Sequence, residues 1–258
     1  MEIGSFIEMQ FPKGKEYYNQ SVDIARLNTG RSAIWHAFRV SGVKAIWIPY
    51  YQCDTVRELL LKHSAKVKFY HTDNDWNPTD LDAKKDEAVL FVNYYGIMSH
   101  KRMSELASLS EHPIIDNCQG FFCEPVAGAL NIYSCRKFVG VPDGSYVIGK
   151  GAHKYVGEYP QCYSSDTAAF LLMRIEYGCE GKGYEARHIN EQRIDTEDIM
   201  KMSKLTRTIL DGTDYEQIKQ KRRDNFDYMH NRLGGINKIN PKQYYNETTL
   251  SLIHISEP

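Results

Sequence analysis

Six short runs constrain this chain more than any other feature: KAIWIPYY (44–51), KVKFYHTD (66–73), EAVLFVNYYG (87–96), PIIDNCQ (113–119), GALNIYSCRK (128–137) and GSYVIGK (144–150). Each is rich in β-branched or aromatic residues, and the apolar residues follow one another instead of alternating with polar ones. Successive side chains of a strand point to opposite faces, so an unalternated apolar run asks for cover on both. Between the runs, TVRELLLKHSA (55–65) and SHKRMSELASLSEH (99–112) carry helical spacing, the second with Ser99 placed as a cap. Strand and helix in turn, with strands buried on both faces, predict an α/β fold.

Beyond about residue 150 the rhythm changes. Asp166–Tyr177 is an apolar-rich helix, and Thr196–Leu210 and Asp214–Leu233 read as long helices. The last is heavily charged, with Tyr215, Ile218, Phe226, Met229 and Leu233 supplying a core stripe. GCEGKGYEARH (178–188) reads as a flexible loop. The 258 residues, 42% of them hydrophobic, suffice for one sizeable core, or one and part of a second. The closing LSLIHISEP resembles translated sequencing adapter. Authentic sequence is therefore expected to end near Thr249, with residues 1–232 a large domain, 233–249 the start of a truncated small one and 250–258 a non-native tail; a natural short tail is the alternative.

Charge narrows the partners. Lys and Arg number 32 and Asp and Glu 33, a net charge of -1, so no global field favours nucleic acid or an anionic membrane. No apolar run is long enough to span a bilayer and MEIGSFIEMQF is not a signal peptide, which together predict a cytoplasmic protein. The six cysteines include no CxxC pair and no zinc spacing, and are expected to be small, buried, reduced thiols with no metal. No GxGxxG follows a strand, and no Walker A lysine is present. DNDWNPTD (73–80) has Pro78 where a calcium loop needs glycine, and reads as a solvated loop.

Two residues do not fit a plain core. Asp116 ends one apolar run, and Lys137 follows another among residues that look inward-facing. Buried without a task, a carboxylate and an amine are costly. In an open α/β sheet, ligands bind outside the carboxyl ends of the strands, where Asp116, Lys137 and the PYYQCD loop all fall. Upstream, Thr29-Gly30-Arg31-Ser32 is a small polar turn before an apolar-periodic helix, able to cap it or to seat a phosphate. Together these pieces match the needs of pyridoxal 5'-phosphate: a lysine for a Schiff base with its aldehyde, a carboxylate at the ring nitrogen and a donor-rich helix start for its phosphate. A desolvated Lys137 would favour the nucleophilic amine.

The ordered set TGRSAI, IPYYQCDT, VNYYG, IIDNCQG and SCRKFVGVPDGSYVI resembles the motifs of the DegT/DnrJ/EryC1/StrS family of sugar aminotransferases, of the aspartate-aminotransferase fold, over roughly residues 22 to 235. The resemblance implies a three-layer α/β/α large domain with a mostly parallel sheet, followed by the small domain. It implies a homodimer with the active site at the subunit boundary, an amino acid donor such as glutamate, and a keto-sugar acceptor that is nucleotide-linked. Lys137 would carry the cofactor and shuttle a proton, Asp116 would bind the pyridinium nitrogen, and Gln119 would lie at the ring hydroxyl. Gly30, Arg31, Ser32 and Ser134 would hold the phosphate. Three positions depart from the pattern. Arg31 stands where threonine or serine is usual, Pro142-Asp143-Gly144-Ser145 replaces Gly-Glu-Gly-Gly, and Cys53 stands where an aromatic stacks on the ring. Tyr51, two residues earlier, or the Cys53 thiol is left to cover that face. A degenerate, non-catalytic relative is the alternative these departures motivate.

Overall fold

The apolar runs do become strands. The computed structural model describes residues 7–19 and 23–236; segment 237–258, which holds the expected tail and nearly all of the expected small-domain start, lies outside the described residues. The strands are β1 (Ile24–Leu27), β2 (Ala45–Pro49), β3 (Lys66–Tyr70), β4 (Glu87–Val92), β5 (His112–Asp116), β6 (Leu130–Ser134) and β7 (Ser145–Ile148). They form one sheet in the order β1-β7-β6-β5-β4-β2-β3. β3, β2, β4, β5 and β6 run parallel, while β7 is antiparallel to both β6 and β1. Two reversals restore direction, so β1 points the same way as β6. The carboxyl ends of β1, β2, β4, β5 and β6 therefore share one edge of the sheet.

Helices α1 (Gly30–Ser41), α2 (Asp54–Lys62) and α3 (His100–Ala107) accompany the first strands. Side chains alternate between two cores, as consecutive apolar residues require. Ala88, Leu90, Ile114, Ile132 and Val147 pack with Ile34, Ala37 and Leu60 of α1 and α2. Val89, Phe91 and Ile115 face the other way onto Met103 and Leu106 of α3. The result is the expected three-layer α/β/α arrangement. Thr29 and Ser99 cap their helices through their side chains, and Gly42, at φ 73, closes α1 in the left-handed conformation that suits glycine.

The C-terminal part differs from expectation in two places. Residues 178–188 are a loop only at 178–181, where α4 (Ala169–Tyr177) turns into α5 (Lys182–Thr196), which takes the rest. Nor is Thr196–Leu210 one helix. α5 stops at Thr196, an extended segment follows, and α6 (Lys204–Asp211) starts afresh with Ser203 as its cap. The extended segment covers the free edge of β1: Asn28 N–H donates to Met200 O at 3.0 Å and Met202 N–H to Arg26 O at 3.0 Å. Pairing that edge outweighs continuing the helix. The charged helix α7 (Tyr215–Leu233) forms as expected behind Asp214, burying Tyr215 and Phe226.

A third core, mostly aromatic, lies under the region of Lys137. Tyr18, Phe121, Phe122, Tyr133, Phe138, Tyr146 and Tyr215 are all buried in it. Phe121 stacks on Phe138 at 5.6 Å between ring centroids. An N-terminal strap closes it. Glu16, 4% exposed, accepts from Arg26 Nε at 2.8 Å and from the Tyr146 hydroxyl at 3.0 Å. Against the expectation of buried thiols throughout, Cys53 and Cys179 are exposed. Among the described residues no helix is long and apolar enough to cross a membrane.

Candidate active site

The shared carboxyl edge gathers the sequence-selected residues. Asp116 is the last residue of β5 and Ser134 the last of β6, its parallel neighbour. Lys137 lies three residues further on. Thr29 follows β1 and caps α1, accepting from Ser32 N–H at 3.1 Å while its carbonyl accepts from Ala33. That leaves the amides of Gly30 and Arg31, in the first turn, without helical acceptors.

Cys118 joins these pieces. A side chain on Gly30 would come within 2.8 Å of its sulfur, so only glycine lets the start of α1 approach so closely. Burial pushes the Cys118 thiol well above its ordinary value; the Asp116 carboxylate adds to that rise and the Lys137 ammonium opposes it. One sulfur thus touches the helix start and feels both the acid and the amine.

Asp116 is 7% exposed, and each of its oxygens accepts a hydrogen bond. Oδ1 takes the Cys118 amide at 2.9 Å, and Oδ2 takes the Gln52 side-chain amide at 3.0 Å. Tyr94 lies alongside, its phenol raised by burial and, next, by the Asp116 charge. Its hydroxyl donates to Tyr51 O at 2.9 Å, and the two rings stack at 5.4 Å. Tyr51 itself is 63% exposed, its hydroxyl 3.1 Å from that of Tyr95. Gln119 is half-buried. Its carbonyl presses against Gly96, φ +65, where an added Cβ would come within 2.0 Å. A cavity of about 180 Å³ opens behind the PYYQCD loop, lined by Ile48, Gln52, Cys53, Arg57 and Phe69 among others.

Lys137 is exposed, against the expectation of a desolvated amine. Its backbone, in contrast, is pinned: its carbonyl accepts from Arg222 Nη2 at 2.7 Å, and the Arg222 guanidinium lies over Phe138 at 4.1 Å. Burial lowers Arg222 to about 10.

The departures from the family pattern resolve differently. The Arg31 guanidinium does not face this edge. It is turned to the end of α5, bonding Ile194 O, Glu197 O at 3.2 Å and Asp195 at 3.2 Å. Any phosphate contact from Arg31 is thereby left to its backbone. Cys53 is turned to its own helix, 3.1 Å from the Thr55 hydroxyl. Asp143, fully buried, accepts from Ser203 N–H at 3.0 Å and Thr206 Oγ1 at 2.9 Å, which ties the start of α6 to the β6–β7 connection. The Pro-Asp-Gly-Ser sequence is thus a structural fastening.

Sequence reasoning missed Gln52, Tyr94 and Cys118. The first two sit inside quoted motifs, but nothing in their spacing says that they reach Asp116. Cys118 stands two residues after Asp116, and only the approach of Gly30 reveals its place.

No protein-family model matches the chain, and no curated protein does. Solved structures match in number, 517 chains in all. The sugar aminotransferase CalS13 from Micromonospora echinospora has a TM-score of 0.51 at 14% identity, over 84% of this chain and 63% of that one. The histidinol-phosphate aminotransferase from Clostridium acetobutylicum has 0.50 at 15%, over 84% and 63%. A PLP-bound structure from Clostridium difficile 630 has 0.50 at 9%, over 83% and 57%. At these identities the likeness is one of fold, and the chain spans less than two thirds of the length of each. The chain has the sheet and helix layers of the aminotransferase fold.

Proposed function

We propose that this chain is the cofactor-binding part of a pyridoxal-phosphate-dependent aminotransferase of the DegT/DnrJ/EryC1/StrS kind. It would move an amino group from an amino acid, glutamate by the family pattern, to a keto sugar that is nucleotide-linked. The observation that carries this reading is the approach of the open start of α1 to the end of β5: Gly30 packs on Cys118, two residues past the buried Asp116, and Lys137 follows the end of the neighbouring strand β6 by three residues. Asp116 ends β5, and Lys137 comes three residues after the end of its parallel neighbour β6, an order that would suit the two sides of one planar ring. The large-domain boundary near residue 232 and a homodimer belong to the same reading.

The residues present fit the group. The uncommitted amides of Gly30 and Arg31 and the hydroxyl of Ser134 would offer donors for a phosphate, whereas the Ser32 hydroxyl, against its expected role, is fully buried 2.7 Å from that of Thr29. When bound, the cofactor supplies an aldehyde for covalent capture of an amine and a ring that draws electrons from the substrate α-carbon. Asp116 holds the proton on the ring nitrogen, and its burial strengthens that contact. Lys137 Nζ would anchor the group and would serve as the base and acid for the proton at the substrate α-carbon. Exposed and held at its carbonyl by Arg222, Lys137 has a fixed base and a free tip for both tasks. Gln119 would lie at the ring hydroxyl by the family pattern. Tyr51, braced by Tyr94, is the aromatic ring available to cover a face, since Cys53 is turned to Thr55.

The test is the absorbance of purified protein with added pyridoxal phosphate, beside Lys137→Ala. A yellow band that borohydride abolishes, present only with Lys137, is the expected result. Folded, dimeric protein without a band would remove the aminotransferase reading. A band without amine transfer from glutamate to any keto sugar would favour the non-catalytic relative.

A further inference from the structure

Gln52 makes a contact that no motif in the chain announces. Its side chain touches two elements far apart in sequence. Oε1 accepts the Cys53 amide at 2.8 Å, and Nε2 donates to Asp116 Oδ2 at 3.0 Å. The first contact fixes the second. Cys53 is the N-cap of α2, and its backbone amide, which lies ahead of the helix's own ladder, donates to the Gln52 oxygen. Turning the amide over would set two donors against each other at Cys53 and two acceptors against each other at Asp116. The NH₂ end must therefore face the carboxylate.

We infer that Gln52 is a positioning residue for Asp116, holding its carboxylate from the flank so that the remaining lone pairs face the nitrogen of a bound pyridine ring. The inference rests on the cofactor reading above and names a residue outside it. A carboxylate offers about four acceptor directions. The Cys118 and Gln52 amides occupy one on each oxygen. Both donors are neutral amides, so neither brings a positive charge that would compete with a pyridinium. With the carboxylate ending a buried strand and held on both oxygens, its plane is set before any ligand arrives, which spares that ordering cost on binding.

The experiment compares two ligands on three proteins: wild type, Gln52→Leu and Gln52→Glu. The ligands are pyridoxal phosphate and its analogue with carbon in place of the ring nitrogen. Dissociation constants come from absorbance titration, and thermal melts confirm folding. Gln52→Glu is nearly isosteric and keeps the acceptor for the Cys53 amide, so it preserves the tie to α2 while setting an acid against Asp116. A hydrogen bond to a charged group predicts that each variant loses about tenfold or more in affinity for pyridoxal phosphate. Affinity for the carbon analogue should hold, because that ligand makes no use of Asp116. Equal losses for both ligands, or no loss for pyridoxal phosphate in either variant, would overturn the inference. Tighter binding in Gln52→Leu would overturn it as well, by making Gln52 a competitor for Asp116. If the wild type itself binds no pyridoxal phosphate, the cofactor reading fails and this inference with it; normal wild-type binding beside indifferent variants sinks this inference alone.

Discussion

His36 is fully buried on α1, with Nδ1 2.9 Å from the Tyr159 hydroxyl and Nε2 2.8 Å from Ala152 O. Burial lowers its ionisation below the ordinary histidine value; the Ala152 carbonyl opposes the shift and the Arg39 charge adds to it. The unfolded chain, with an ordinary histidine near pH 6.5, then binds a proton that the folded chain refuses. Stability should hold above about pH 6.5 and fall as the pH drops from there toward the lowered value of His36. Thermal melts between pH 7.5 and 5 test this. The slope should flatten in His36→Gln, and an unchanged slope would mean that other groups set it. Asp143 offers a second test at this scale. Asp143→Ala leaves the Ser203 amide and the Thr206 hydroxyl without their acceptor in a buried place, at a cost of about 1–3 kcal/mol in stability. Ser203→Ala removes the cap of α6 and the acceptor of the buried Ser164 hydroxyl but leaves the Asp143 contacts to the Ser203 amide and Thr206, at a cost of about 1 kcal/mol. If urea titration ranks them the other way, Asp143 is not the main fastening.

At the scale of elements, the strands and the first three helices were legible because their patterns are clean. AVLFV has room for no reading but a strand buried on both faces, and Ser99 caps α3 where its position predicted. The C-terminal half was misread for two physical reasons. Ile199, Met200 and Met202 mimic a helical stripe, but they lie extended because β1 needs an edge partner, a demand invisible from the segment itself. Gly178, Gly181 and Gly183 suggested a loop, yet Gly183 is buried inside α5, where a side chain would meet the Gly178 carbonyl at 2.8 Å. Ser203 followed by Lys204 and Leu205 was the overlooked signal for a new helix start. In the candidate site, Asp116 and Lys137 stood out because charge at the end of a core strand is conspicuous. Arg31 and Gln52 did not reveal themselves, since a long side chain's direction depends on what comes back in space 160 or 60 residues later.

Among the described residues, an exposed apolar helix stands beside a sheet packed on both faces. None of the α4 residues is buried, and Leu172 and Ile175 are 51% and 80% exposed. The three cores around the sheet, by contrast, bury side chains on both of its faces. A ligand that binds only the folded chain must raise its melting temperature. At a hundredfold excess over its dissociation constant, pyridoxal phosphate should add about 2.7 kcal/mol. Differential scanning fluorimetry should show that rise for wild type and a smaller one for Lys137→Ala, which keeps the phosphate and ring contacts but has no anchor. Equal rises would take the anchor away from Lys137.

The strand order also has a consequence for synthesis. β1, near the start of the chain, finds its strand partner in β7, with Ile24 opposite Ile148. On a ribosome adding ~5–20 residues per second, the first strand therefore waits on the order of ten seconds for its neighbour to emerge. Throughout that wait Ala25 and Leu27, which end almost without solvent contact, stand open to any hydrophobic surface nearby. The same sheet order that brings Gly30 beside Cys118 leaves an apolar strand unpaired early in synthesis, the kind of exposed surface that chaperones bind.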